Sequence, residues 1–147
     1  MKIEYLMNKN YNPRQPIFNE RGAPTNRVRN ALENVLSAYV NYAKPHAIAT
    51  HNNIKNYKIN QVLVVGSGAH NNVVNSDLDL LLIAPNLDEN SAINMKLFLS
   101  VLFFNNKPKN DAIDVFIRKE DIFPDRASTN VTKYYKKIID KYNLQLK

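Results

Sequence analysis

Cysteine is absent from this 147-residue chain, which excludes a disulfide framework, a thiolate zinc site and a thiol nucleophile. That composition suits a reducing compartment. Long apolar runs are missing as well. None approaches the roughly 20 residues that a membrane-spanning helix needs, so no membrane partner is expected. The first residues, MKIEYLMNKNYNPRQP, lack the uninterrupted apolar stretch of a signal peptide, and a cytoplasmic location is expected. Acidic residues are in short supply, 13 against 20 lysines and arginines, giving a net charge of +7 and a sequence pI of about 9.6. A basic surface suits nucleic acid, a nucleotide or an acidic protein. It equally suits plain solubility or a Lys- and Asn-rich bias, so charge alone selects no partner.

The length fits one domain able to bury a core without covalent or metal staples. Residues 1 to 26 read as an irregular N-terminal arm, interrupted by Pro13, Pro16, Gly22 and Pro24. Residues 27 to 147 read as the single domain. Val28, Ala31, Leu32, Val35, Leu36, Tyr39, Val40 and Ala43 recur at helical spacing, with Thr25 or Asn26 as cap and Pro45 as terminator. Residues 46 to 60 are polar and weakly patterned, a loop. Residues 61 to 65 form a β-branched run that ends in the turn Gly66-Ser67-Gly68. A short helical turn and loop are expected over 69 to 75, and a second strand over 77 to 84, closed by Pro85. A helix capped by Asn86 or Asp88 runs to about Phe104, with Ile93, Leu97, Val101 and Phe104 along its inner side. Residues 112 to 117 read as a third strand. Residues 130 to 142 read as a last helix, with Val131, Tyr134, Tyr135, Ile138 and Ile139 inward. This order implies an α+β domain, a small mixed sheet flanked by helices.

Two carboxylates interrupt the second strand. Asp77 and Asp79, separated by one leucine, project to the same side of a strand at roughly 6 to 7 Å. Unpartnered, such a pair is costly. A hard divalent cation relieves it, and Mg²⁺ prefers oxygen ligands of this kind. Asp114, inside AIDVFI, occupies a strand position that would ordinarily be apolar. If its strand lies beside the second, three acids converge in the manner used to hold two metal ions for in-line attack on a nucleotide phosphate. Gly66 and Ser67 supply the other half, a strand-ending turn that offers backbone N–H groups and a hydroxyl to phosphate. Gly66 permits an approach that a side chain would block.

The run G66-S67-x-A69, followed by S76-D77-x-D79-L80, resembles the signature of the polymerase-β-type nucleotidyltransferase superfamily. Among its branches it is most similar to the small minimal nucleotidyltransferases, often encoded with a HEPN partner. His70 and Asn71 stand where that pattern usually has Arg and Gly. The resemblance spans about residues 60 to 118. It implies a palm-like nucleotidyltransferase fold, with Gly66, Ser67 and Ser76 on a nucleoside triphosphate. Asp77 and Asp79 would ligate two Mg²⁺ ions (Mn²⁺ being an alternative), and Asp114 would ligate the catalytic one and help deprotonate the attacking hydroxyl. A nucleoside monophosphate, AMP from ATP foremost, would pass to a hydroxyl on a protein, an RNA or a small molecule. The short chain implies a HEPN-type partner subunit or a homo-oligomer to complete the site.

Other readings compete. Ser76-x-x-Asp79 matches a helix-capping box, although L-L-L-I-A-P is too short and too continuously apolar for an amphipathic helix. Asp114 alone would fit a surface acid on an edge strand. His46, His51 and His70 match no familiar ligand spacing. Tyr134 and Tyr135 fit a core stripe better than a base-stacking platform, and Lys133, Lys136, Lys137 and Lys141 fit a solvated helix face. At the level of function, the alternatives are a non-catalytic, antitoxin-like binding module with a retained nucleotide pocket, and a basic nucleic-acid-binding protein.

Overall fold

Two aliphatic runs, QVLVV and LDLLLI, form the centre of a four-stranded mixed sheet in the computed structural model, which describes residues 10–39, 59–69, 76–85, 89–104, 111–120 and 128–142. β1 (Gln61–Val65) lies antiparallel to β2 (Leu78–Ile83), with Val65 opposite Asp79. β3 (Ile113–Arg118) runs parallel to β2 along its other side, in a register that sets Asp79 next to Asp114. A two-residue strand absent from the sequence reading, β4 (Thr129–Asn130), pairs antiparallel with β1, so the spatial order is β3-β2-β1-β4. Helix α1 (Asn26–Ala38) precedes the sheet, α2 (Glu89–Phe103) makes the crossover that a parallel β2–β3 pair requires, and α3 (Thr132–Tyr142) follows β4. The small α+β class is therefore as expected, and the three longer strands lie within a residue of their expected limits.

The principal core covers one face of the sheet. Val62, Val64, Leu78, Leu80, Leu82, Ile113, Val115 and Ile117 meet the buried sides of the three helices there. On the opposite face Leu63, Val65, Leu81 and Ile83 form a smaller cluster, with Phe116 packed against it. β2 is thus apolar on both sides, as its near-continuous aliphatic sequence dictates. Around β4, the Val131 N–H donates to the Val62 carbonyl at 2.8 Å and the Val62 N–H donates to Thr132 Oγ1 at 3.0 Å. The Tyr135 hydroxyl donates to the buried Ile59 carbonyl at 2.7 Å. No helix among the described residues is long and apolar enough to cross a membrane.

Residues 10–25 of the arm contain only an isolated bridge, Phe18 to Pro24, yet they pack as part of the domain. Ile17 and Phe18 are buried in the principal core. Thr25 stands at the N-cap of α1 without capping it. Its hydroxyl donates instead to the Pro16 and Ile17 carbonyls, fastening the arm. The expected stripe of α1 is buried from Val28 through Tyr39.

Helix α2 corrects the sequence reading. Its core side is Ala92, Met95, Leu99, Leu102 and Phe103, whereas Ile93 is 47% and Leu97 57% exposed. The segment is apolar around most of its circumference, so periodicity offers more than one stripe, and packing against β3 selects between them. Residues 1–9, the end of the first helix with Val40, Ala43 and Pro45, the loop 46–58 with His46 and His51, the span 70–75 with His70 and Asn71, and the cap candidates Asn86 and Asp88 lie outside the described residues. So do the side chains of Ser67, Val101, Ile138, Ile139 and Lys141.

Candidate metal centre

The parallel register of β2 and β3 decides where the acids meet. Adjacent strands are about 4.8 Å apart, and Asp79 and Asp114 are direct neighbours across that gap. Asp77 precedes β2 in sequence, so its side chain falls on the same side as that of Asp79. One carboxylate oxygen from each of Asp77, Asp79 and Asp114 lies within 4.8 Å of the other two, and all three residues are half-buried. The cluster lies at the starting ends of β2 and β3, beside the finishing end of β1, where the sheet opens. That position resolves why an aliphatic strand carries charge. Its apolar middle is sealed on both faces, and its acids are grouped at one end.

The turn after β1 closes on the same place. Gly66 has φ +73, a left-handed conformation that favours glycine. A Cβ there would collide with the Asp79 carboxylate, whose Cγ would be 3.3 Å away. Glycine is thus favoured at this position both by its torsion angle and by the carboxylate against it. Gly68 is confined from the other side, since its Cβ would stand 2.6 Å from Ile17 Cδ1 of the arm. Residues Gly66–Ala69 form one 3-10 turn, and the Thr129 hydroxyl of β4 fixes it by donating to the Ala69 carbonyl at 2.9 Å. Ser67 lies in this turn, and Ser76 stands one residue before Asp77. The Ser76 hydroxyl oxygen is buried and has no hydrogen-bond partner among the described residues.

Two cations that the sequence reading did not single out frame the cluster. Arg27, in the first turn of α1, is completely buried. Its guanidinium donates to the Tyr11 hydroxyl at 2.9 Å, to the Gln15 carbonyl at 3.3 Å and to the Ser76 carbonyl. It therefore joins the arm, α1 and the residue that leads into Asp77. Only a buried position beside the stripe could have marked it in the sequence, and an arginine on an amphipathic helix ordinarily reads as exposed. Lys96 of α2 places Nζ 3.8 Å from Asp114 Oδ1 and 5.2 Å from the centre of the Phe116 ring. Arg118 approaches the same ring at 5.8 Å.

Burial pushes the Asp114 carboxyl above its ordinary value. The Lys96 ammonium opposes this and the Asp77 charge adds to it. Burial likewise raises the Tyr11 hydroxyl, with Arg27 acting against it. The donor set fits a hard dication: three carboxylates within reach of one point, with no sulfur or imidazole in the cluster among the described residues. A cation there would also relieve the mutual repulsion of the acids. The cluster can therefore bind a metal ion. Searches against family models, curated proteins and solved structures give no match to this chain.

Proposed function

We propose that this protein is a divalent-metal-dependent nucleotidyltransferase of the polymerase-β type, transferring AMP from ATP to a hydroxyl acceptor and releasing pyrophosphate. The observation that carries the reading is the convergence of Asp77, Asp79 and Asp114 beside the Gly66 turn. Asp77, Asp79 and Asp114 would hold two Mg²⁺ ions, which when bound neutralise phosphate charge and acidify the attacking hydroxyl. The chain's own groups do the rest. Backbone N–H groups of the Gly66–Ala69 turn would meet phosphate oxygens, as such turns do, and the Ser76 hydroxyl, which has no hydrogen-bond partner among the described residues, would donate to another. Asp114 receives the proton of the attacking hydroxyl. The acceptor oxygen bonds to the α-phosphorus as the bond to the bridging oxygen breaks, and pyrophosphate leaves with that electron pair.

We assign the acceptor to a partner subunit of HEPN type, a second copy, or an RNA. The test incubates the protein with labelled ATP, GTP, CTP and UTP in Mg²⁺ or Mn²⁺, with co-encoded partners and total RNA. Label transfer that disappears in Asp77→Asn supports the reading. No transfer to any acceptor, with partner binding intact, replaces it with a non-catalytic binding module.

A further inference from the structure

Lys96 has a role that the acids alone do not explain. Its ammonium is held at 3.8 Å from Asp114, near the outer limit of an ion pair, and both side chains keep a path to water, at 30% and 21% exposure. The lysine lies on α2 at the border between the buried side, with Met95 and Leu99, and the exposed side, with Ile93 and Leu97. Its four-carbon stem can therefore swing without disturbing the core. The Phe116 ring beneath it gives the ammonium a second resting place, 5.2 Å from the ring centre. Phe116 and Asp114 lie on one face of β3, two residues apart, so Lys96 spans the acid and the ring together.

We propose that Lys96 is the stand-in counter-ion of the cluster and the triphosphate-binding cation of the loaded site. Resting on the assignment of the cluster to a metal–triphosphate substrate, the sequence of states is simple. Before loading, Lys96 neutralises part of the charge on Asp114 and keeps the acids gathered. When dications take the carboxylates, like charge repels the ammonium from Asp114. The nearest anion it can then serve is the phosphate chain on the same acids, with Phe116 holding it close. Lys96 thus opposes metal alone and favours metal with triphosphate. That pair of opposite effects is not expected of a residue that only supports the fold.

Mn²⁺ binding is titrated by electron paramagnetic resonance on the full chain, and inorganic triphosphate binding by calorimetry at saturating Mn²⁺. Wild type is compared with Lys96→Met, Lys96→Arg and Asp77→Asn. Lys96→Met is expected to bind Mn²⁺ about three- to tenfold more tightly, because a like charge a few ångströms away is gone. It should bind triphosphate about tenfold or more weakly, because a charge-assisted contact is lost. Lys96→Arg, which keeps the charge and guards against a folding artefact, should restore triphosphate affinity to within a few-fold. Unchanged or weaker Mn²⁺ binding in Lys96→Met, or unchanged triphosphate binding, overturns the role of Lys96 and leaves the metal centre standing. Mn²⁺ binding that survives Asp77→Asn intact removes the metal centre, and the role of Lys96 with it.

Discussion

The two faces of β2 carry the same kind of residue through most of their length and then part company at one end. On the helix-covered face Leu78, Leu80 and Leu82 are all fully buried in one continuous core. On the other face Leu81 and Ile83 join a smaller apolar cluster, but the position that would continue it is Asp79, beside Asp114 on β3. The first face fixes the backbone. The second uses that rigidity to hold charges within 4.8 Å of each other. Stability and chemistry are thereby separated by a single alternation of side chains, and substitutions one residue apart should give opposite phenotypes.

The sharpest contrast is Leu80→Ala against Asp79→Asn. Leu80→Ala should cost about 2–5 kcal/mol in urea unfolding, the range for truncating a buried leucine. Asp79→Asn should cost far less stability than that, while label transfer falls by more than the roughly 10- to 100-fold lost when even an outer partner of a metal ligand is removed. A strongly destabilised Asp79→Asn would erase the distinction between the faces. Gly66→Ala should sit between them, losing about 1–3 kcal/mol through its positive φ and also losing transfer through the displaced Asp79 carboxylate.

Smaller effects sharpen the comparison. Because the folded-state value of Asp114 is raised, the folded state prefers its protonated form. Its contribution is fully present below the unfolded value of about 3.9 and is lost as pH rises through the folded one. Asp114→Asn should therefore gain on wild type in urea midpoint between pH 4 and pH 7, and a gap that narrows over that range would contradict the assignment. Tyr135→Phe, on the helix-covered side, should cost about 1 kcal/mol by depriving the Ile59 carbonyl of its donor. Leu97→Gln should move stability by less than about 0.5 kcal/mol, since the side chain is largely in solvent. A cost of several kcal/mol there would restore the stripe that periodicity alone suggests.

Much of the architecture was legible because local signals agreed. A β-branched run ended by Gly66 and an aliphatic run closed by Pro85 marked the central strands, and the spacing of Val28 to Tyr39 marked α1. Asp77 and Asp79 were conspicuous because charge inside an aliphatic run violates patterning, which is where functional positions tend to appear. What could not be read depended on contacts distant in sequence. β4 is two residues long and exists only because β1 offers an edge. The inner side of α2 was ambiguous because nearly every side is apolar. Arg27 and Lys96 looked like ordinary helix-surface cations. Only the fold brings one to the Ser76 carbonyl, 49 residues away, and the other to Asp114. The arm, with neither periodicity nor strand pattern, gave no sign that Ile17 would be buried against Gly68.

Anomalous diffraction from crystals grown with Mn²⁺ and a non-hydrolysable ATP analogue tests the central claim most directly. Manganese peaks are expected within coordination distance of Asp77, Asp79 and Asp114, with the analogue's phosphates against the Gly66–Ala69 turn. Manganese bound elsewhere, or the Asp114 carboxylate turned away from it, would contradict the account.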